Sequence, residues 1–316
     1  MSASKLLGWI AVLLPWLSAE RTARQFLPAS KLLGWIAVLL LLLAVASGFL
    51  LACFYVPTHD QAYVSVRELA FARPYALWAR GMHRIAAHLA ILFALPHFAF
   101  LLWKDRSRDA RRLAWATGLL AFALLGLLAF LGRVLPWDVH GAVSLSIALS
   151  FFGFAPVASE APQPAVLPAV WFLHLLSAAT LVACVASHLP WRAVVRGGSF
   201  ARERLPLLTL SVLPVVAAAA FALRPSLGLP FDGFTPSTSS AAEWYLRWLQ
   251  FLAERSLTLA RIVTAALVAL AVALPWAATP PMRMRLRHAW VAVLAVLLLL
   301  SAMPIGAGAA SPQVGP

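Results

Sequence analysis

Seven apolar segments, each long enough to cross a bilayer, restrict this chain to one kind of fold. They run over residues 31–55, 80–103, 112–134, 165–189, 205–223, 258–278 and 287–305. A hydrocarbon core about 30 Å thick takes roughly 20 apolar residues in helical form. Helix is required because lipid offers the backbone no other hydrogen-bond partners. Of the 316 residues, 62% are apolar and only 11% charged, too little charge to cover a soluble domain of this size. The sequence therefore predicts an all-α polytopic membrane protein with about seven spans.

The net charge of +14 would suit a polyanion partner if it were clustered on one surface. Instead the basic residues sit in short connections: Lys104, Arg106 and Arg108 after the second segment, Arg192, Arg196, Arg202 and Arg204 after the fourth, Arg283 and Arg285 before the last. Those connections share a side with Lys5, Arg21, Arg24 and Lys31. The positive-inside rule makes that side, and the N-terminus, cytoplasmic. Lipid is the implied surroundings, and nucleic acid is not a partner. The long connections 56–79, 135–164 and 224–257 then face outward, and their Pro, Ser, aromatic and acidic residues suit loops that build a site. Cys53 and Cys184 lie inside apolar runs without a CxxC or CxxCH pattern. They are read as small core residues, with no support for a zinc site or a covalently attached haem.

The chain divides into three parts. Residues 1–30 form an N-terminal segment in which Ala3 to Leu14, ASKLLGWIAVLL, is repeated identically from Ala29 to Leu40. The first copy stops at Pro15-Trp16, short of a comfortable span, and reads equally as an interfacial helix or as the product of a recent duplication or misassigned start. Residues 31–200 hold four spans, and residues 201–316 three more.

Four histidines stand inside the spans. His83 and His97 lie 14 residues apart in the second, and His174 and His188 lie 14 apart in the fourth. Fourteen residues are close to four helical turns, so each pair faces one side, its members separated by about 21 Å. The second and fourth spans run in the same direction, which puts His83 level with His174 toward the outside and His97 level with His188 toward the inside. Polar groups in lipid are costly and tend to be functional. Two imidazole pairs at two depths are an arrangement for two b-type haems, each with two histidine ligands to iron. His88, at the wrong spacing, is read as structural. Gly34 and Gly48 in the first span and Gly118 and Gly132 in the third repeat the 14-residue interval. Glycine leaves room beside a flat porphyrin at some expense in helix propensity; ordinary small-residue helix packing gives the same residues. Arg80, one turn before His83, suits either a haem propionate or an interfacial anchor.

With these residues in place, the chain resembles the cytochrome b/b6 family of the bc1 and b6f complexes, from about Trp16 to Ile305. The resemblance rests on Arg80-x-x-His83, the two His-x13-His pairs and the four glycines. It also rests on Gly132-Arg-Val-Leu-Pro-Trp-Asp138, similar to the family's GYxLPW segment, and on Ala241-Ala-Glu-Trp-Tyr245, similar to its PEWY region. The last three spans resemble subunit IV of b6f complexes, here fused to the b6-like part. The resemblance implies a dihaem cytochrome b subunit of a bacterial inner-membrane quinol oxidoreductase. It would oxidise quinol at the outer face and move electrons across the membrane, coupled to proton translocation. Glu243 would take a quinol proton there, in an apolar pocket that favours its neutral form. Tyr245, Trp137 and Asp138 would line the same region. The partners would be a Rieske-type iron–sulfur subunit and a c-type cytochrome, in a dimer of the complex.

The chain departs from the pattern in several places. Ala242 replaces the proline of PEWY, which predicts a looser loop. Ala178 stands where the family often has proline, and Phe100 where a basic residue is expected. The stretch after His188 offers no histidine or aspartate for an inner quinone site, leaving Arg192, Arg202 and Glu203 as candidates. A dihaem anchor of another quinone-linked dehydrogenase or hydrogenase is the alternative reading, and a haem-free transporter a third. The AEWY and LPWD segments favour the first.

Overall fold

A computed structural model describes residues 27–72, 74–103, 110–154, 165–189, 199–223, 225–231, 242–273 and 280–302. The repeated N-terminal segment up to residue 26, and Arg192, lie outside the described residues, as do the side chains of Arg202 and Glu203. Helices occur in all seven apolar segments, and the described residues contain no strand beyond one isolated bridge between Asp138 and Pro230. The four longest are α1 (Leu27–Ala52), α3 (Pro74–Trp103), α4 (Ala110–Val134) and α6 (Val166–His188). Their apolar stretches of 21, 26, 21 and 23 residues are each long enough to cross a membrane. Three more follow, α7 (Ser199–Ala222), α9 (Leu257–Ala273) and α10 (Pro280–Ala302), with shorter apolar stretches.

Three helices lie where the sequence suggested only long outer connections: α2 (Ala62–Ala72), α5 (Val139–Phe151) and α8 (Arg247–Arg255). None is long enough to span. Helix α5 starts where Asp138 accepts a hydrogen bond from the Gly141 N–H at 2.8 Å, satisfying one of the free donors of its first turn. Before it, Trp137 takes a positive φ of 52°, an uncommon backbone for a bulky residue. The Trp137 ring is fixed there by burial at 2% exposure and by edge contacts with His59 and Phe231. At its other end, Arg261 of α9 donates to the Ser150 and Phe151 carbonyls at 2.8 and 2.7 Å, a cation on the free carbonyls of the last turn.

Helix α1 packs along α3, α4 along α6, and α7 against α3. Leu40, Ala44, Met82, Ala86, Leu125, Leu181 and Val216 bring all five into one buried cluster. The α3–α7 approach is so close that a Cβ on Gly81 would lie 2.7 Å from the Ala220 carbonyl oxygen. Membrane helices use small residues for such contacts because packing, not water, drives their association. A second cluster around Leu131, Trp137, Leu145 and Leu167 closes one end of the bundle. Phe98 with Trp290 and Ala271 joins α9 and α10 to the other. Phe49, Leu92, Leu127, Phe172 and Leu176 stand exposed on the spans, as expected of surfaces whose solvent is lipid. Cys184 is buried in the bundle, but Cys53 is exposed just past α1, where its thiol donates to the Phe49 carbonyl, so only one of the two cysteines is a core residue.

Candidate functional site

The facing surfaces of α3 and α6 bring the four histidines together in two levels. His83 and His174 have ring centroids 6.3 Å apart, and His97 and His188 6.4 Å apart. Each separation is too long for direct hydrogen bonding between rings. A metal bound at about 2 Å from one nitrogen of each opposed imidazole would leave the ring centroids roughly 6 Å apart. The described residues contain no group of three or more His, Cys, Asp or Glu side chains that could hold a metal. The two imidazoles of each level could hold the iron of a haem, which would supply one-electron chemistry there.

The nitrogens are set for that role. His83 Nδ1 lies 2.8 Å from the Ala44 carbonyl oxygen and must donate to it. That fixes the tautomer and leaves Nε2 with a free lone pair. His188 Nδ1 lies 3.3 Å from Thr117 Oγ1 and close to the Ala114 carbonyl. Ala44 and Ala114 stand one turn before Gly48 and Gly118, so the carbonyl and the glycine belong to the same contact. In the matching place, the Leu128 carbonyl lies near His174, whose Nδ1 is buried without closing a hydrogen bond. Trp171 stacks on that ring with the planes 10° apart.

Each of the four glycines faces the edge of one of these imidazoles. A Cβ on Gly48 would lie 2.8 Å from His83 Cε1, and on Gly34 2.9 Å from His97 Cε1. On Gly118 it would lie 2.9 Å from His188 Cε1, and on Gly132 3.4 Å from His174 Cε1. In this structure they let α1 and α4 approach the imidazoles. The shared 14-residue interval follows: antiparallel neighbours must match positions at two levels, so glycines and histidines need the same spacing.

A second polar constellation lies on another face of α3. Glu243 is largely buried, and its Oε1 accepts from Arg133 Nη1 at 2.8 Å and from Arg84 Nη2 at 3.2 Å. Arg133, near the end of α4, also donates to Ser144 Oγ of α5 at 3.2 Å. The carboxylate is thus paired with two guanidiniums, not surrounded by apolar groups as the sequence suggested. Trp244 Nε1 donates to His88 Nδ1 at 3.3 Å, and the Tyr245 ring meets His88 edge-on with centroids 5.8 Å apart. Burial, with the Glu243 charge second, pushes the Tyr245 phenol well above its ordinary pKa. The replaced proline has a local answer: the Ala242 N–H donates to Gln250 Oε1 at 2.6 Å, a bond proline cannot make.

The remaining expected residues are placed elsewhere. Asp138 is buried and accepts from the backbone N–H groups of Gly141 and Gly228. Trp137 packs on His59 and Phe231, so the hydrogen bonds and ring contacts of this pair do not run to Glu243. Arg80 donates to the Pro225 and Ser226 carbonyls, tying α3 to the connection after α7. Sequence reasoning assigned no role to Arg84 or Arg133 in this cluster and marked His88 as structural. The available signal was the Arg80, Arg84, His88 line at four-residue intervals, which marks one polar face of an otherwise apolar helix.

Comparison with known proteins adds the following. Residues 21–195 match the cytochrome b/b6/petB family. Cytochrome b of Schizosaccharomyces octosporus is 26% identical over 237 residues, covering 65% of this chain and 61% of that protein. The menaquinol:cytochrome c reductase cytochrome b subunit of Bacillus subtilis is 29% identical over 116 residues, 37% of this chain and 52% of that one. The chain thus spans about three-fifths or less of the length of these relatives. A chain in the solved structure of a hyperthermophilic respiratory Complex III superposes with a TM-score of 0.66 at 20% identity, covering 88% of this chain and 85% of that one.

Proposed function

The chain belongs to the cytochrome b/b6 family, and from that premise we propose that it is the dihaem subunit of a bc-type quinol oxidoreductase. The observation that carries this reading is the pair of facing imidazole levels on α3 and α6, 6.3 and 6.4 Å between centroids. His83 with His174 would hold one b-type haem and His97 with His188 the other. Haem ligated by two imidazoles supplies one-electron transfer with no open position for oxygen, so two such groups at two depths supply a path across the membrane. The protein's own part is to hold the ligand rings. The Ala44 carbonyl fixes the His83 tautomer, and the four glycines let α1 and α4 press against the imidazoles.

The level of His83 and His174 would be the outer one, with the basic connections and the N-terminus cytoplasmic in a bacterial inner membrane. Quinol would be oxidised at the outer end, beside Glu243. Both guanidinium contacts go to Oε1 of that residue. Oε2 is left to accept a hydroxyl proton, as an acid–base group must be within reach of the proton it moves. Proton release at this face, with electrons passing inward, would couple oxidation to charge separation. One electron would go to an iron–sulfur subunit of Rieske type and then to a c-type cytochrome. This chain holds only two cysteines, so it cannot itself carry a four-cysteine cluster.

The test is to add a short-chain ubiquinol or menaquinol to membranes containing the complex and follow the b-haem spectrum. Quinol-dependent reduction of a bis-histidine b-type signal is expected. A chain that purifies without b haem, or whose haem no quinol reduces, would overturn the reading.

A further inference from the structure

His88 has no part in the histidine levels, yet it is held as firmly as the residues that do. It follows Arg84 by one turn on α3, and its ring lies between the Trp244 indole and the edge of Tyr245. The indole N–H can only donate, so His88 Nδ1 must accept, and the proton of the neutral ring is on Nε2. That nitrogen closes no hydrogen bond among the described residues, and the His88 side chain is only half-buried. Glu243 is the residue before Trp244 and is bonded to Arg84, one turn from His88, so the contacts that hold the His88 ring also bring this carboxylate to the same face of α3. Its Oε2 is likewise without a hydrogen bond among the described residues.

The cluster therefore offers one fixed donor, His88 Nε2–H, and one acceptor, Glu243 Oε2. A phenolic hydroxyl needs that pair, because its oxygen accepts while its hydrogen is donated. We propose that His88 is a substrate-binding residue of the outer site, donating its Nε2–H to the quinol oxygen whose proton goes to Glu243. This rests on the quinol-oxidation reading given above. In the proton step the quinol O–H bond breaks, the proton passes to Glu243 Oε2, and the electron pair remains on the quinol oxygen. The His88 N–H stays intact, and its hydrogen bond strengthens as negative charge develops on that oxygen. Trp244 acts through His88 as a positioning residue by fixing the tautomer.

The experiment uses the assembled complex with short-chain ubiquinol and menaquinol analogues. His88→Phe removes the donor and keeps an apolar ring, so kcat/KM for the quinol should fall roughly ten-fold or more, the effect of losing one hydrogen bond that tightens in the transition state. Both b-haem signals should remain. His88→Gln, which keeps an N–H donor, should recover most of the loss. Trp244→Phe, which releases the tautomer but keeps an aromatic ring, should fall between them. A wild-type complex that oxidises neither quinol overturns the function proposed above and this inference with it. A wild-type complex that is active while His88→Phe keeps its kcat/KM within two-fold overturns this inference alone. If His88→Phe does not assemble with its haems, the other variants decide: activity near wild type in His88→Gln together with a clear fall in Trp244→Phe supports the proposal, and an unchanged Trp244→Phe overturns it.

Discussion

The histidine levels and the Glu243 cluster both place polar groups in an apolar molecule, but by opposite means. In the bundle, each histidine ring is placed by its own helix and a glycine on the adjacent one, and the same contact is used four times. In the cluster, each group is placed once. Glu243 reaches Arg133 across 110 residues and Arg84 across 159, and His88 is oriented by a tryptophan 156 residues away. The first is a repeated lattice that helix periodicity specifies. The second exists only when the connection after α7 lies against α3 and α4. The bundle should therefore respond to changes in size at fixed positions, and the cluster to changes in charge and hydrogen bonding.

The most severe way to break the lattice is to remove a ring. His97→Ala should leave one haem of two, lost from the level of His188, and haem-to-protein ratio on the purified chain checks this. Retention of two haems would remove the level assignment. Next is the charge of the cluster. Glu243→Gln leaves two guanidiniums facing a neutral amide, with no strong proton acceptor, so quinol oxidation should fall roughly 100-fold, in the range ascribed to one acid–base group. Both haem signals should survive, and steady-state assays beside reduced-minus-oxidised spectra separate the two outcomes.

Size comes third and divides the lattice itself. In Gly48→Ala the new methyl carbon lies 2.8 Å from His83 Cε1 and 3.0 Å from Nδ1, the nitrogen held by the Ala44 carbonyl. Overpacking of that kind destabilises by about 1–3 kcal/mol. Gly132→Ala meets its ring at 3.4 Å, an ordinary contact, and the gain in helix propensity of up to about 1 kcal/mol offsets it. Thermal denaturation and haem retention of the two variants should therefore differ, with Gly48→Ala the weaker. Equal behaviour would contradict the role given to the glycines. The smallest effect is expected of Thr117→Val, which removes the hydroxyl from His188 Nδ1 but leaves the nearby Ala114 carbonyl. It should lower stability by about 1 kcal/mol without loss of haem.

The same contrast decides what could be read from the sequence. The seven helices follow from apolar length, and the level of each histidine from a 14-residue interval and the direction of its span. Both are local or periodic. The glycines were recognised by their interval, but their contact with the imidazole edges was not, because spacing tells which residues match in depth and not which atoms they touch. Helices α2, α5 and α8 went unseen because they are short and lie between turns rich in Pro, Ser and Gly. Arg133 stood two residues before the LPWD segment and was passed over, since nothing in a linear pattern shows that Glu243 folds back on it. His88 was set aside for having the wrong interval for a haem ligand, which was correct for the lattice and uninformative about the cluster.

The central claim is that α3 and α6 hold two separate bis-histidine haems. A redox titration of the purified chain, read by optical and low-temperature electron paramagnetic resonance spectra and paired with a haem count, tests it most directly. Two low-spin b-type centres of separate potential, at two haems per chain, are the predicted result. One centre, a high-spin haem with an open ligand position, or none would contradict it.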